Sequence, residues 1–162
     1  MILNQATDYG FRIVLFLSRI AEEKSQGNRI EAIEISEHEC IPERFLFKIM
    51  RKLTKAGIVK SYRGVNGGFT LVRNPVDITL LDIVEAVEGP ICVNVCFKGS
   101  NRCNKNFTKY CVVHRELASL RQDISSRLAA TNFKMLVEQE NKLREEGDSR
   151  SGQCVNFSNC SK

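Results

Sequence analysis

Several features that would assign the chain to other classes of protein are missing from its sequence. No apolar run is long enough to span a membrane, and the first residues lack the layout of a signal peptide. No glycine-rich nucleotide-binding loop follows a predicted strand, and apart from the cysteines described below there is no cofactor-binding motif. No nucleophilic side chain is combined with a general base in a catalytic pattern. We therefore expect a cytoplasmic protein with no membrane partner, no enzymatic activity and no catalytic residues.

Acidic side chains are missing from residues 44–76, in a chain whose net charge is only +5. The same stretch contains eight basic side chains: Arg44, Lys48, Arg51, Lys52, Lys55, Lys60, Arg63 and Arg73. A run of charge is usually a solvated surface. Here it coincides with a hairpin signal and with a second helix just before it, and this combination favours nucleic-acid binding.

The first part of this basic stretch predicts a helix with two distinct faces. Apolar residues recur at helical spacing along one face: Phe45, Leu46, Ile49, Met50 and Leu53. Basic residues cluster on the opposite face: Arg44, Lys48, Arg51, Lys52 and Lys55. A short helix over residues 30–39, with Ile33 and Ile35 inward, and a tight turn at Cys40 precede it. The order predicts a helix-turn-helix.

A glycine-rich turn follows the basic helix and predicts a β-hairpin. Residues 58–63 and 69–72 have the composition of strands, and residues 64–68 between them accept positive φ easily. A basic helix followed by a basic hairpin is typical of a winged helix, whose helix enters the DNA major groove. The candidate DNA contacts are Arg44, Phe47, Lys48, Arg51, Arg63, Asn66 and Gly67. For Phe47, a contact with a thymine methyl or the sugar backbone and packing at the domain edge are equally good interpretations.

The remaining segments complete a mainly α architecture. Helices are predicted from residue 4 or 5 to 24, over 78–88, from 111 or 112 onward, and from 131. The helix after residue 111 has an apolar stripe suited to a partner helix: Val113, Leu117, Leu120, Ile124 and Leu128. We predict a DNA-binding domain at 1–90, a cysteine-rich loop at 91–111, dimerisation helices at 112–146 and a disordered tail at 147–162. The alternative is that the stripe packs on the first helix of the same chain, and both kinds of packing can occur together.

Four of the seven cysteines, Cys92, Cys96, Cys103 and Cys111, fall within one short segment, which favours metal ligation over a disulfide framework. Six residues separate Cys96 from Cys103 and seven separate Cys103 from Cys111, whereas structural zinc usually takes closely paired cysteines. The loop also carries basic side chains and no acids, which suits thiolates. The spacing favours an iron–sulfur cluster over zinc and leaves both open. Cys40 is predicted to be a buried lone cysteine, and Cys154 and Cys160 idle thiols.

Several motifs together resemble one family of regulators. They are residues 6–10 (ATDYG), 45–49 (FLFKI), 63–69 (RGVNGGF), 81–88 (LDIVEAVE) and the three-cysteine loop. Over roughly residues 1–140 the chain resembles the IscR, NsrR and RirA family of winged-helix iron–sulfur regulators. The resemblance implies that Cys96, Cys103 and Cys111 hold the cluster, for which four irons are favoured over two, and that the following helix forms a homodimer.

Three residues are candidates for the fourth ligand of the cluster. Asp8, from the partner chain, matches the position of an aspartate ligand in NsrR-like members and is the favoured candidate, with Cys92 and His114 as alternatives. The spacing between the cysteines is longer than is usual in the family. The expected function is a repressor whose affinity for an operator responds to iron, redox state or nitric oxide. A cluster-free regulator that senses thiol oxidation or docks on an enzyme, and an electron-transfer protein, are the alternatives.

Overall fold

Six helices and one two-stranded hairpin make up the part of the chain that the computed structural model describes, residues 3–23, 29–64, 67–97, 103 and 108–146. In order they are α1 (Gln5–Glu23), α2 (Ala32–His38), α3 (Glu43–Lys55), β1 (Val59–Tyr62), β2 (Gly68–Leu71), α4 (Leu80–Glu88), α5 (Val112–Ala129) and α6 (Phe133–Glu145). Short 3-10 turns cover Pro75–Asp77, Val95–Phe97 and Thr108–Tyr110. The predicted mainly α winged helix-turn-helix is confirmed. No helix in these ranges has the length and apolarity needed to cross a membrane.

Helix α1 is the centre of the core, and α3, α4 and α6 pack against it. Its buried side chains include Tyr9, Ile13, Phe16 and Leu17, as its periodicity predicts. The start of α1 is fixed by α4, because Glu88 Oε1 accepts hydrogen bonds from Asn4 N, at 3.0 Å, and from the buried Thr7 hydroxyl. The carboxylate satisfies a donor that a helix N-terminus otherwise leaves unpaired. The two helices are thereby held in one orientation.

The wing is an antiparallel hairpin with a third chain segment beside it. Val59 pairs with Leu71 and Tyr62 with Gly68, and Ile30 forms an isolated bridge with Phe69 on the other edge of β2. The predicted start of the second helix at residue 30 is wrong, because Ile30 lies in this bridge and α2 begins at Ala32. The predicted inward position of Ile33 is also wrong, because its side chain is 52% exposed, whereas Ile35 is fully buried.

The turn between α2 and α3 sets the helix-turn-helix. Cys40 has φ +52°, a left-handed conformation that few non-glycine residues adopt, and the next residue, Ile41, is buried. Cys40 itself is half-buried rather than buried as predicted. Arg19 on α1 pairs with Glu39 of this turn, at 3.0 Å, and with Glu140 on α6, at 2.9 Å. One guanidinium thus joins the turn to the last helix.

The C-terminal helix α6 returns to the core while α5 stays on the surface. Phe133 and Val137 of α6 are buried, and the α6 start is tied to the segment before α4 by the Phe133 N–H donating to Ile78 O at 2.9 Å. On α5, by contrast, no side chain is fully buried, and Val113 and Leu120 are 60% and 48% exposed. The apolar stripe of α5 is therefore only partly covered within one chain, because Leu117, Ile124 and Leu128 are half-buried while Val113 and Leu120 are exposed.

Candidate nucleic-acid interface and cysteine site

The outer face of α3 carries most of the predicted DNA contacts. Arg44, Phe47, Lys48 and Arg51 are all exposed. The opposite face seats the helix in the core through the buried side chains of Leu46, Ile49, Met50 and Leu53. A rigid helix thus presents four neighbouring side chains, three of them cationic, to the surface.

Lys52 departs from the basic face that the sequence predicts. Its ammonium donates a hydrogen bond to Val87 O, in the last turn of α4. The last carbonyls of a helix lack partners within the helix and carry partial negative charge, so they attract a cation. Lys52 therefore connects α3 to α4 and does not belong to the free cationic surface.

Phe47 lies where α3 meets the wing. Its ring is 45% exposed, and its centroid is 6.5 Å from that of the buried Phe69 on β2, with the rings tilted by 55°. Two open grooves, of about 460 and 450 Å³, lie beside it, and Ser61, Phe47 and Phe69 line both. Phe47 therefore packs at the domain edge and also presents apolar surface outward.

The wing adds further cations around the groove. Arg63 and Gly64 are exposed, and Arg63 and Gly67 line the larger groove, whereas Asn66 lies outside the described residues. Tyr62 of β1 is covered by the guanidinium of Arg29, 4.0 Å from the ring centroid. The sequence analysis did not single out Arg29 or Tyr62. Arg29 reaches the hairpin through the bridge of its neighbour Ile30, a long-range pairing that local periodicity does not signal.

A thiol–imidazole contact joins the cysteine loop to α5. Cys96 Sγ lies 3.3 Å from His114 Nδ1, and the Cys111 thiol caps α5 by accepting from the His114 backbone N–H at 3.4 Å. The His114 ring stacks on Phe97, with centroids 4.5 Å apart and planes at 19°. Arg121, further along α5, lies over the Phe97 ring at 5.2 Å. His114 thus contacts Cys96 through its ring and Cys111 through its backbone N–H.

The other predicted ligands lie apart from this contact or are only partly defined. In the ranges that the structure covers, no three His, Cys, Asp or Glu side chains form a group that could hold a metal ion. Cys92 is half-buried beside a cavity of about 420 Å³, and Cys103 is also half-buried. Asp8 is exposed on α1 and pairs with Arg12 at 3.6 Å. Lys98, Arg102, Lys105, Cys154, Cys160 and the predicted disordered tail at 147–162 lie outside the described residues.

A helix-turn-helix with a cationic outer face and a hairpin wing defines a class of DNA-binding transcription regulators. Within that class, the chain belongs to the Rrf2 family, described as iron-dependent transcriptional regulators, whose pattern matches residues 3–139. The resemblance inferred from the sequence motifs is confirmed.

Individual relatives and solved structures agree with this assignment. The chain is 32% identical to the HTH-type transcriptional regulator NsrR of Bacillus subtilis strain 168 over 113 residues, which are 70% of each chain. It is similar to the structure of CymR, the global cysteine regulator of B. subtilis, with TM-score 0.65 and 26% identity, over 86% of this chain and 98% of that one. T. potens IscR, at TM-score 0.63 and 22% identity over 94% and 93% of the two chains, shares the fold. The relatives are regulators rather than enzymes, as the sequence predicts.

Proposed function

We propose that the chain is a homodimeric, iron–sulfur cluster-dependent repressor whose affinity for its operator follows the state of the cluster. The observation that carries the proposal is that His114, in the first turn of α5, contacts Cys96 through its ring and Cys111 through its backbone N–H. The iron dependence in the description of the family supports it.

The donors fit such a cluster in their chemistry. Thiolates are the ordinary protein ligands of iron–sulfur clusters, and a histidine replaces cysteine in some of them. Cys96, Cys103 and Cys111 are the proposed thiolate ligands, and a four-iron cluster is proposed over a two-iron one. Asp8 of the partner subunit is the proposed fourth ligand, with Cys92 and His114 as alternatives. Asp8 is exposed and pairs with Arg12 at 3.6 Å, a surface ion pair that coordination of the cluster would replace at small cost.

The DNA contacts proposed for the operator are the side chains that face outward on α3 and the wing. Arg44, Lys48, Arg51 and Arg63 are proposed to contact phosphates or base edges, and Phe47 an apolar group of the DNA. Asn66 and Gly67, which lie between β1 and β2 in the sequence, are proposed to contact the DNA backbone. The stripe on α5 is proposed to cover its counterpart in a second chain and so to place two α3 helices on one duplex.

When bound, the cluster would supply iron that is lost under iron limitation and that reacts with oxidants or nitric oxide. The chain responds through its own contacts. The loop at 91–111 follows the end of α4, where the Val87 carbonyl accepts from Lys52 of α3, and it ends at Cys111, the cap of α5. When the cluster orders the loop, the loop fixes the position of α4 relative to α5, and α4 in turn fixes the position of α3. Loss of that order changes the angle between the two α3 helices and weakens operator binding.

Anaerobic purification tests the proposal directly. The protein should be coloured, should contain iron and acid-labile sulfide, and should lose both in Cys96→Ser, Cys103→Ser and Cys111→Ser. Asp8→Ala, Cys92→Ser and His114→Ala, compared for the rate of cluster loss, identify the fourth ligand. A colourless anaerobic protein with stoichiometric zinc would contradict the proposal.

A cluster-free thiol regulator is the second candidate, and the contact between Cys96 Sγ and His114 Nδ1 favours it. An adjacent imidazole can accept the proton of a thiol, which makes the sulfur reactive toward oxidants. CymR, which is similar to this chain at 26% identity, is the global cysteine regulator of B. subtilis. For this candidate, iron-free protein should bind the operator, and peroxide should change that binding in the wild type but not in Cys96→Ser.

A further inference from the structure

We propose that Phe47 reads the methyl group of a thymine in the operator and so determines part of its sequence specificity. The proposal rests on the entry of α3 into the major groove, which the proposed function also uses. It is independent of whether a cluster is bound.

The first support is the position of Phe47 among the cations. Arg44 lies three residues before it and Arg51 four residues after it, so the three share one face of α3. All three side chains are exposed. The two guanidinium groups suit phosphates or guanine edges on either side, which brings the ring between them against the base-pair edges.

The second support is that the ring is held outward. The ring of Phe47 packs against that of Phe69, which is buried. Phe69 is fixed by its β-ladder pair with Ser61 on one side and by its bridge with Ile30 on the other. Phe69 is only 7% exposed, so its ring occupies the core side of this contact and the ring of Phe47 the outer side. Grooves lie beside the ring, so its exposed edge forms a ridge between them.

The chemical groups exposed in the major groove determine which base an apolar side chain such as Phe47 can contact. Among the four bases, only thymine presents a methyl group there, and aromatic or aliphatic side chains contact it. Removing one buried methyl group from an apolar contact lowers an affinity about fourfold. Phe47 would therefore discriminate thymine from cytosine, and from the same base without its methyl group.

The experiment replaces single methyl groups in the DNA. The full chain, prepared without oxygen, first selects its duplex from a random pool. Each thymine of that duplex is then replaced by deoxyuridine, which pairs identically and lacks only the methyl group. At one thymine per half-site, replacement should weaken wild-type binding about fourfold and should leave the binding of Phe47→Ala unchanged.

Val72→Ala is the matched control, because Val72 is 56% exposed on the segment after β2 and does not line either groove. It should keep the full sensitivity to deoxyuridine, and circular dichroism should show both variants folded. An equal deoxyuridine effect in wild type and Phe47→Ala would overturn the proposal. The proposal would also be overturned if Phe47→Ala bound the duplex more weakly while no thymine methyl group affected the binding of the wild type. The ring would then contact the sugar or only Phe69.

The same data separate this proposal from the proposed function. A chain that selects no sequence would overturn both. A chain whose operator affinity follows its iron content, but which ignores every methyl group, would overturn only the reading of thymine by Phe47.

Discussion

At the scale of single residues, Lys48 is the simplest probe of the DNA surface. Its side chain is exposed on α3 between Phe47 and the buried Ile49, and its charge is available to a phosphate. We expect Lys48→Ala to weaken operator binding and to reduce the slope of log K against log salt by about 0.9 per protomer, because one fewer counterion is released. Fluorescence anisotropy over a series of salt concentrations measures that slope.

Lys134→Ala is a suitable control for charge, since Lys134 is exposed on α6 rather than on α3. It removes the same charge from the protein without removing a proposed contact. A Lys48→Ala variant with the wild-type slope would place this lysine away from the phosphates.

Gly68 is the residue on which the wing depends sterically. It has φ +148°, and a Cβ added there would lie 2.6 Å from Ile30 O, the carbonyl that accepts from Phe69 N. Gly68→Ala should cost about 1–3 kcal/mol, because the strain falls on backbone that cannot move without breaking the bridge. Denaturant unfolding measures the loss.

Gly57 provides the comparison for Gly68. It has φ +69° with no atom within 4 Å of an added Cβ, so Gly57→Ala adds conformational strain without a clash. The loss of stability should be smaller there. Equal losses at the two positions would show that the approach of Ile30 to the wing is not what requires a glycine.

At the scale of secondary-structure elements, the link between α3 and α4 rests on Lys52. Lys52→Met keeps the aliphatic stem of the side chain but removes the donor to Val87 O. We expect a loss of about 1 kcal/mol in unfolding free energy and a smaller difference in operator affinity between cluster-loaded and cluster-depleted protein. Anisotropy on the two forms measures that difference.

Lys55→Met, on the exposed end of the same helix, is the matched control. It should leave both the stability and the difference in affinity unchanged. If Lys52→Met retains the full difference in affinity, the signal travels between loop and α3 by another route.

The elements differ in how well the sequence predicts them. The long helices and the hairpin were predictable, because their apolar periodicity extends over several turns and a glycine-rich turn separates the two strands. The seven-residue α2 was placed less well, since two turns cannot distinguish Ile33 outward from Ile33 inward. The bridge of Ile30 and the contact of Lys52 join residues far apart in sequence, so no local pattern signals them. The meeting of Cys96 with His114, 18 residues apart, is of the same kind.

At the scale of the whole molecule, the cysteine loop connects the shared core to α5, which also packs against α4. On one side, α1, α3, α4 and α6 share a core that includes Ile13, Ile49, Ile83 and Phe133. On the other, α5 contributes no fully buried residue to that core. The position of α5 therefore depends on its packing against α4, on its two ends and on what covers the exposed part of its apolar stripe. In the proposed homodimer, a change in the loop at one end of α5 would be passed to the other subunit.

In the proposed homodimer, the stripe of α5 is the point at which assembly and DNA binding meet. Leu120 is 48% exposed, and Leu120→Lys places a charge in the centre of the proposed interface. Burying an unpaired charge costs several kcal/mol, so the variant should sediment as a monomer at micromolar concentration and bind a full operator at least tenfold more weakly. Val76→Lys, at a position 46% exposed in the Pro75–Asp77 turn, should remain dimeric. If Leu120→Lys stays dimeric and binds DNA normally, the dimer interface does not lie on α5. The loop could then not set the spacing of two α3 helices through α5.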